Sequence, residues 1–103
     1  MKTRREMLEE FVVADPADSF SRYALALELE KEKRELEAIP QLQEVIGRDP
    51  AYVAAYYQLG RMLAHLGQTE DARVAYRQGL DVAAAAGDQK TRNEIQEALD
   101  MLE

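Results

Sequence analysis

Compared with itself at an offset of 34 residues, the chain repeats. Asp15-Pro16 returns as Asp49-Pro50, Tyr23 as Tyr57, Leu25 as Leu59, Ala26 as Gly60, Leu29 as Leu63, Ala38 as Ala72 and Ile46 as Leu80, while Leu42 meets Tyr76. Large and small positions recur in phase. A period of this length marks a chain built by stacking one supersecondary unit. The spacing inside the unit says what it is. Tyr56, Leu59, Gly60 and Leu63 follow one another at three, one and three, and Ala72, Tyr76 and Leu80 lie four apart. Residues three or four apart share a helix face. Gly67 separates the two runs, where one helix stops and another starts. Each unit is therefore a pair of helices, with Ala26 and Gly60 where two backbones come close.

The first unit is the less regular. Arg22 stands where the second unit has the aromatic Tyr56, and Lys33 where it has Gly67, so no glycine is available there for a left-handed cap. Pro40 falls inside the following helix, and proline is tolerated without loss only in a first turn. That helix is expected to start late, near Glu37, or to be distorted where it begins. The flanks read as incomplete units. Met7, Leu8, Phe11 and Val12 form an apolar stripe, and shifted by 34 Leu8 meets Leu42 and Val12 meets Ile46. Residues 3–14 thus read as a second helix whose first helix is missing. Thr69 is the expected N-cap of a helix running to about Ala85, Gly87 breaks it, and Asp88 caps a last helix with Ile95, Ala98, Leu99 and Leu102 on one face. The expected plan is one domain over 1–103: a half-repeat helix at 3–14, repeats at 17–50 and 51–84, and a capping helix at 88–103.

Composition agrees with an all-α chain. Apolar residues make up 47%, many of them the strong helix former Ala, and only five Gly and three Pro interrupt. Thirteen basic against twenty acidic residues leave a net charge of −7. That argues against a nucleic-acid partner, which needs clustered Lys and Arg, and favours a basic patch on a protein partner. With no cysteine there is no disulfide and no thiol chemistry. The start, MKTRREMLEEF, turns acidic before any apolar run, unlike a signal peptide, and no segment is apolar for long enough to cross a bilayer. The expected location is cytoplasmic. A lone histidine, His65, has no second ligand or paired carboxylate at chemical spacing, so neither catalysis nor a metal or other cofactor is expected. The run from Glu28 to Glu37, ELEKEKRELE, reads as a solvated face with intrahelical pairs.

The motif Tyr56-x2-Leu59-Gly60-x2-Leu63, then Ala72-x3-Tyr76, resembles the tetratricopeptide repeat, whose 34-residue pattern is W-x2-L-G-x2-Y, A-x3-F, P. An aromatic replaces the Trp, Leu63 the Tyr, and Ala84 stands where the closing Pro falls. The resemblance implies an α-solenoid of antiparallel helix pairs whose first helices line a concave, peptide-binding groove. The positions it turns to the groove are Phe20, Tyr23, Leu27 and Lys31 in the first repeat and Ala54, Tyr57, Arg61 and His65 in the second. These lie at i, i+3, i+7 and i+11, one helix stripe distinct from the Leu25, Leu29, Leu59 and Leu63 core face. The tyrosines either offer flat binding surfaces or pack between helices. Ala24 and Gln58 stand beside them, with no Asn, unlike the Lys, Asn and Arg clamp of the subclass that holds chaperone tails. The implied function is a non-catalytic interaction module. The alternative is a self-assembling unit, a homodimer through the open N-terminal half-repeat.

Overall fold

The computed structural model describes residues 1–102, and every described element is a helix. They are α1 (Arg4–Ala14), α2 (Ser19–Lys31), α3 (Glu35–Arg48), α4 (Val53–His65), α5 (Thr69–Ala86) and α6 (Gln89–Asp100). Residue 103, the end of the expected capping helix, lies outside the described residues. The helices gather into two compact units, one over Met1–Asp49 and one from Pro50 onward.

In the first unit α2 packs against both α1 and α3. Thr3 starts α1 with a capping box: its hydroxyl accepts from the Glu6 N–H at 3.1 Å, and the Glu6 carboxylate accepts from the Thr3 N–H at 2.9 Å. Asp18 caps α2 by accepting from the Ser21 N–H and hydroxyl at 3.1 and 2.6 Å. The apolar positions then converge. Leu25, Ala26 and Leu29 of α2 meet Ala38, Leu42 and Val45 of α3 in a buried core, completed by Leu8 of α1.

Two expectations for this unit need correction. α3 begins at Glu35, not near Glu37, and its helical hydrogen-bonding pattern continues through Pro40 in its sixth position. Pro40 is exposed, and so is Leu36, whose carbonyl it deprives of a partner. The missing bond therefore falls on the solvent-facing side of the helix, where unpaired backbone groups cost least. Nor does the lack of a glycine at position 33 change the end of α2. Lys33 itself takes a left-handed conformation, φ 62°, as Gly67 does at φ 80°.

The charge run is also more than a solvated face. Glu28 of α2 and Glu32, the residue that caps its C-terminal end one turn later, face the arginines of α1. Arg5 Nε donates to both Glu32 carboxylate oxygens at 2.8 and 3.1 Å, and Arg4 lies 3.5 Å from Glu28. Arg5 also reaches Glu9 at 2.9 Å, and Arg34 bridges Glu32 and Glu37. The run ties α1 to α2 as well as pairing within itself.

In the second unit α5 lies between α4 and α6. Gly60 of α4 is required by Tyr76 of α5: a Cβ at position 60 would come within 3.0 Å of that ring. Gly79 is hemmed in likewise, with Tyr56 Cβ at 2.8 Å and Ile95 Cδ1 at 2.9 Å from where its Cβ would lie. Tyr56 is buried and its hydroxyl donates to the Pro50 carbonyl at 2.6 Å, pinning the segment that leads into α4. The repeat-signature residues are thus packing residues. Thr69 is the first residue of α5 and not its cap; Gln68 holds that place without a side-chain bond. Gly87 ends α5 at Ala86 in a left-handed conformation, and Asp88 caps α6 by accepting from the Thr91 N–H at 3.0 Å. Ile95 of α6 is fully buried, while Ala98, Leu99 and Leu102 are half-buried.

Candidate functional site

Asp18 sets the first turn of α2, and the buried Leu25, Ala26 and Leu29 fix its rotation. Phe20, Tyr23, Leu27 and Lys31 are thereby brought together along a shallow open cavity of about 320 Å³, which also takes in Ala24, Glu28 and Arg4 of α1. Its aromatic end is open, because Phe20 is 66% exposed. Tyr23 and Leu27 are half-buried and form the floor. The far end carries charge. Glu28, largely buried, lies 3.5 Å from Arg4 and 3.6 Å from Lys31, so two exposed cations flank one carboxylate. An apolar floor between an aromatic and a cationic end can hold an apolar side chain while its neighbours stay hydrated. Arg4 was not singled out from sequence. The signal that could have found it is the facing pair Arg4-Arg5 and Glu28-x3-Glu32 across antiparallel helices.

On α4 the equivalent stripe is held by Leu59, Gly60 and Leu63 beneath it. Ala54, Tyr57 and Arg61 are half-buried and His65 is exposed in the last turn. The Tyr57 ring leans on Tyr76, with centroids 6.4 Å apart and planes tilted by 36°. Tyr57 is therefore neither wholly packed nor wholly free, and one face of it is spoken for. Burial pushes the Tyr76 phenol above its ordinary value, helped by Tyr57 and opposed by the Arg61 charge. Arg61 is oriented along its own helix: its Nε and Nη2 both donate to Gln58 Oε1, at 3.0 and 2.6 Å. Gln58, where the sequence shows no Asn, thus hydrogen-bonds the Arg61 side chain along the helix. Across the described residues no three His, Cys, Asp or Glu side chains gather into a metal cage, and no helix is long and apolar enough to cross a membrane.

Helix pairs recurring every 34 residues, each burying one stripe and presenting another, define an all-α helical-repeat protein. A family model of the tetratricopeptide repeat matches residues 2–83, and the chain belongs to that family. It is similar to the solution structure of a tetratricopeptide repeat domain protein from Salinibacter ruber, with 42% identity over 86% of this chain and 90% of that one and a TM-score of 0.82. A protein from Bordetella parapertussis, at 29% identity, covers 99% of this chain with 89% of its own length at a TM-score of 0.84. The crystal structure of the MamA protein is similar at 25% identity and a TM-score of 0.72, over 90% of this chain and 57% of that one. Repeats of this family generally serve as protein–protein interaction modules, so protein partners follow from membership.

Proposed function

We propose that this protein binds peptide segments of a partner, without catalysis, in the cytoplasm, with Phe20, Tyr23, Leu27 and Lys31 on α2 as one contact stripe and Tyr57, Arg61 and His65 on α4 as another. The observation that carries the reading is the open cavity on α2, where the four residues that the family resemblance turns to the groove lie on one surface. In this reading residues 17–50 and 51–84 are the two repeats, 3–14 the half-repeat helix and 88–103 the cap. A net charge of −7 favours partners with basic residues around the bound segment. The test is capture of partners from the native lysate, identified by mass spectrometry, by the natural protein and by Tyr23→Ala/Tyr57→Ala. The double variant should keep its helical circular dichroism and lose the captured set. Equal capture by a folded variant sinks the assignment.

A second reading, self-assembly through α1, is favoured by one observation: Met7 and Phe11 are 43% and 55% exposed. Light scattering across a hundredfold range of concentration, about 1–100 μM, tests it. A constant monomer mass rejects it.

A further inference from the structure

A second cavity of the first unit shares no residue with the α2 stripe. It is a crevice of about 300 Å³ with Glu9 and Val12 of α1 on one wall, Glu37 and Gln41 of α3 on the other, and Leu25 and Leu29 of α2 as its floor. Both leucines are 3% exposed and belong to the core, so the floor is apolar and fixed. The α1 wall does not depend on what packs against the rest of that helix. Shifted by 34, Glu9 and Val12 become Gln43 and Ile46 of α3, where Gln43 is exposed and Ile46 half-buried although α2 packs on that helix. The walls carry the two ends of a chain of charges. Glu9 pairs with Arg5 at 2.9 Å, Arg5 with Glu32 at 2.8 Å, Glu32 with Arg34 at 3.4 Å and Arg34 with Glu37 at 2.6 Å. Charges alternate along it and both ends are carboxylates, so it holds one carboxylate more than it holds guanidiniums. Those two ends open on the same crevice, with side chains 44% and 56% exposed. A single positive charge between them would close the chain into a ring.

We infer that this crevice takes a lysine side chain of a partner protein, its stem on Leu25 and Leu29 and its ammonium between Glu9 and Glu37. The bonds already made select lysine. Arg34 forks both Glu37 oxygens, at 2.6 and 2.7 Å, and Arg5 holds one Glu9 oxygen. Neither carboxylate has two free oxygens for a second guanidinium fork, whereas an ammonium takes single lone pairs from each. The four-carbon stem of lysine lies along apolar surface while its charge stays at the rim. Among the described residues no three metal-ligating side chains gather to take a bare ion instead. Arg22 stands off the crevice walls, donating to Gln41 Oε1 at 3.1 Å. The net charge of −7 draws basic segments to the protein as a whole, and the crevice gives one of their lysines a fixed place. This surface stands or falls without the α2 and α4 stripes of the proposed function.

The probe is a short alanine peptide with one central lysine and blocked ends. Titrated at fixed ionic strength into isotope-labelled full-length protein, it should give saturable amide shifts at Glu9, Val12, Glu37 and Gln41. Glu9→Gln should weaken binding about threefold or more by removing one end of the charge chain. Val13→Lys should weaken it likewise, since it places a competing ammonium on the crevice wall at a position too exposed to disturb the fold. Glu94→Gln removes the same charge from exposed α6 and should bind the peptide as the natural protein does. A peptide whose lysine is acetylated keeps the stem, loses the charge and should leave the crevice amides unshifted. The inference is overturned if those amides do not shift at roughly 10 mM lysine peptide, or if Glu94→Gln weakens binding as much as Glu9→Gln. It is also overturned if the acetylated peptide, or one with arginine in place of lysine, binds as tightly.

Discussion

At the scale of single residues, the same turn is made once without the residue that suits it. α2, α4 and α5 end alike. The Lys33 N–H donates to the Glu30 carbonyl and the Arg34 N–H to the Leu29 carbonyl at 2.8 and 2.9 Å. Gly67 and Gln68 repeat this on Ala64 and Leu63, and Gly87 and Asp88 on Ala84 and Ala83. This is the paired bonding that closes a helix through a left-handed residue. Glycine adopts that conformation freely, whereas a residue with a Cβ is strained there by about 1–2 kcal/mol. The sequence showed a missing glycine at Lys33 but not that the turn would form anyway, because the bonds and the packing of α3 outweigh so small a strain. Lys33→Gly should therefore raise stability by about 1 kcal/mol, read as a higher denaturation midpoint at unchanged slope. Gly60 carries the opposite expectation. A methyl there meets the Tyr76 ring, which is walled in, so Gly60→Ala should lose about 1–3 kcal/mol in the same measurement. That close approach was legible, since small residues recur at 26 and 60 in phase with large ones at 42 and 76.

At the scale of the element, α3 and α1 separate what a repeat pattern can reveal from what it cannot. The offset located α1 to α5, and the break at Gly87 with the apolar face after it located α6, because helix faces follow from periodic apolar positions. Pro40 suggested a late or distorted start of α3 that the helix does not have, because proline's penalty depends on whether the carbonyl one turn back can reach water. Leu36 is 75% exposed and Pro40 is exposed too, so the bond that proline removes lies on the solvent side of α3. A proline in a helix interior still costs about 3 kcal/mol, of which up to about 1 returns through the stiffer unfolded chain. Pro40→Ala should thus stabilise the protein by about 2 kcal/mol, with slower exchange of the α3 amides as the local signature. The arginine–glutamate ladder between α1 and α2 was missed for a different reason, since its signal lies in two segments read together. It needs the register of one helix on the other, which no single-helix pattern contains. The candidate site falls between these cases. Phe20, Tyr23, Leu27 and Lys31 were readable as one stripe, whereas Arg4 enters their cavity only through helix packing, and the lean of Tyr57 on Tyr76 only through the rotation of α5.

At the scale of the whole molecule, the caps and the buried phenol together set how stability depends on pH. Among the described residues four carboxyls are held below their ordinary values in the folded chain. Glu6 is held there chiefly by the Thr3 N–H, Asp18 by the Ser21 hydroxyl, Glu37 by the Arg34 guanidinium and Asp88 by the Thr91 N–H. A depressed carboxyl contributes stability above its unfolded value and loses it as pH falls through the folded one. The acid limb therefore opens below the ordinary values of 4.5 for Glu and 3.8 for Asp. Tyr76 works at the other end. Its pKa is raised from 10.0, so the unfolded chain gives up that proton first and stability falls as pH climbs beyond that value. Thermal unfolding should show a plateau from roughly pH 5 to 9 with a decline on each side. Two variants assign the limbs. Asp18→Asn/Asp88→Asn keeps a side-chain oxygen at both caps but removes the proton exchange, so its acid limb should be shallower while the midpoint at pH 7 changes little. Tyr76→Phe keeps the ring against Gly60 and removes the ionisable group, so its alkaline limb should flatten and its acid limb stay as it was. If Tyr76→Phe loses stability above pH 10 as steeply as the natural protein, the buried phenol is not what limits the fold in base.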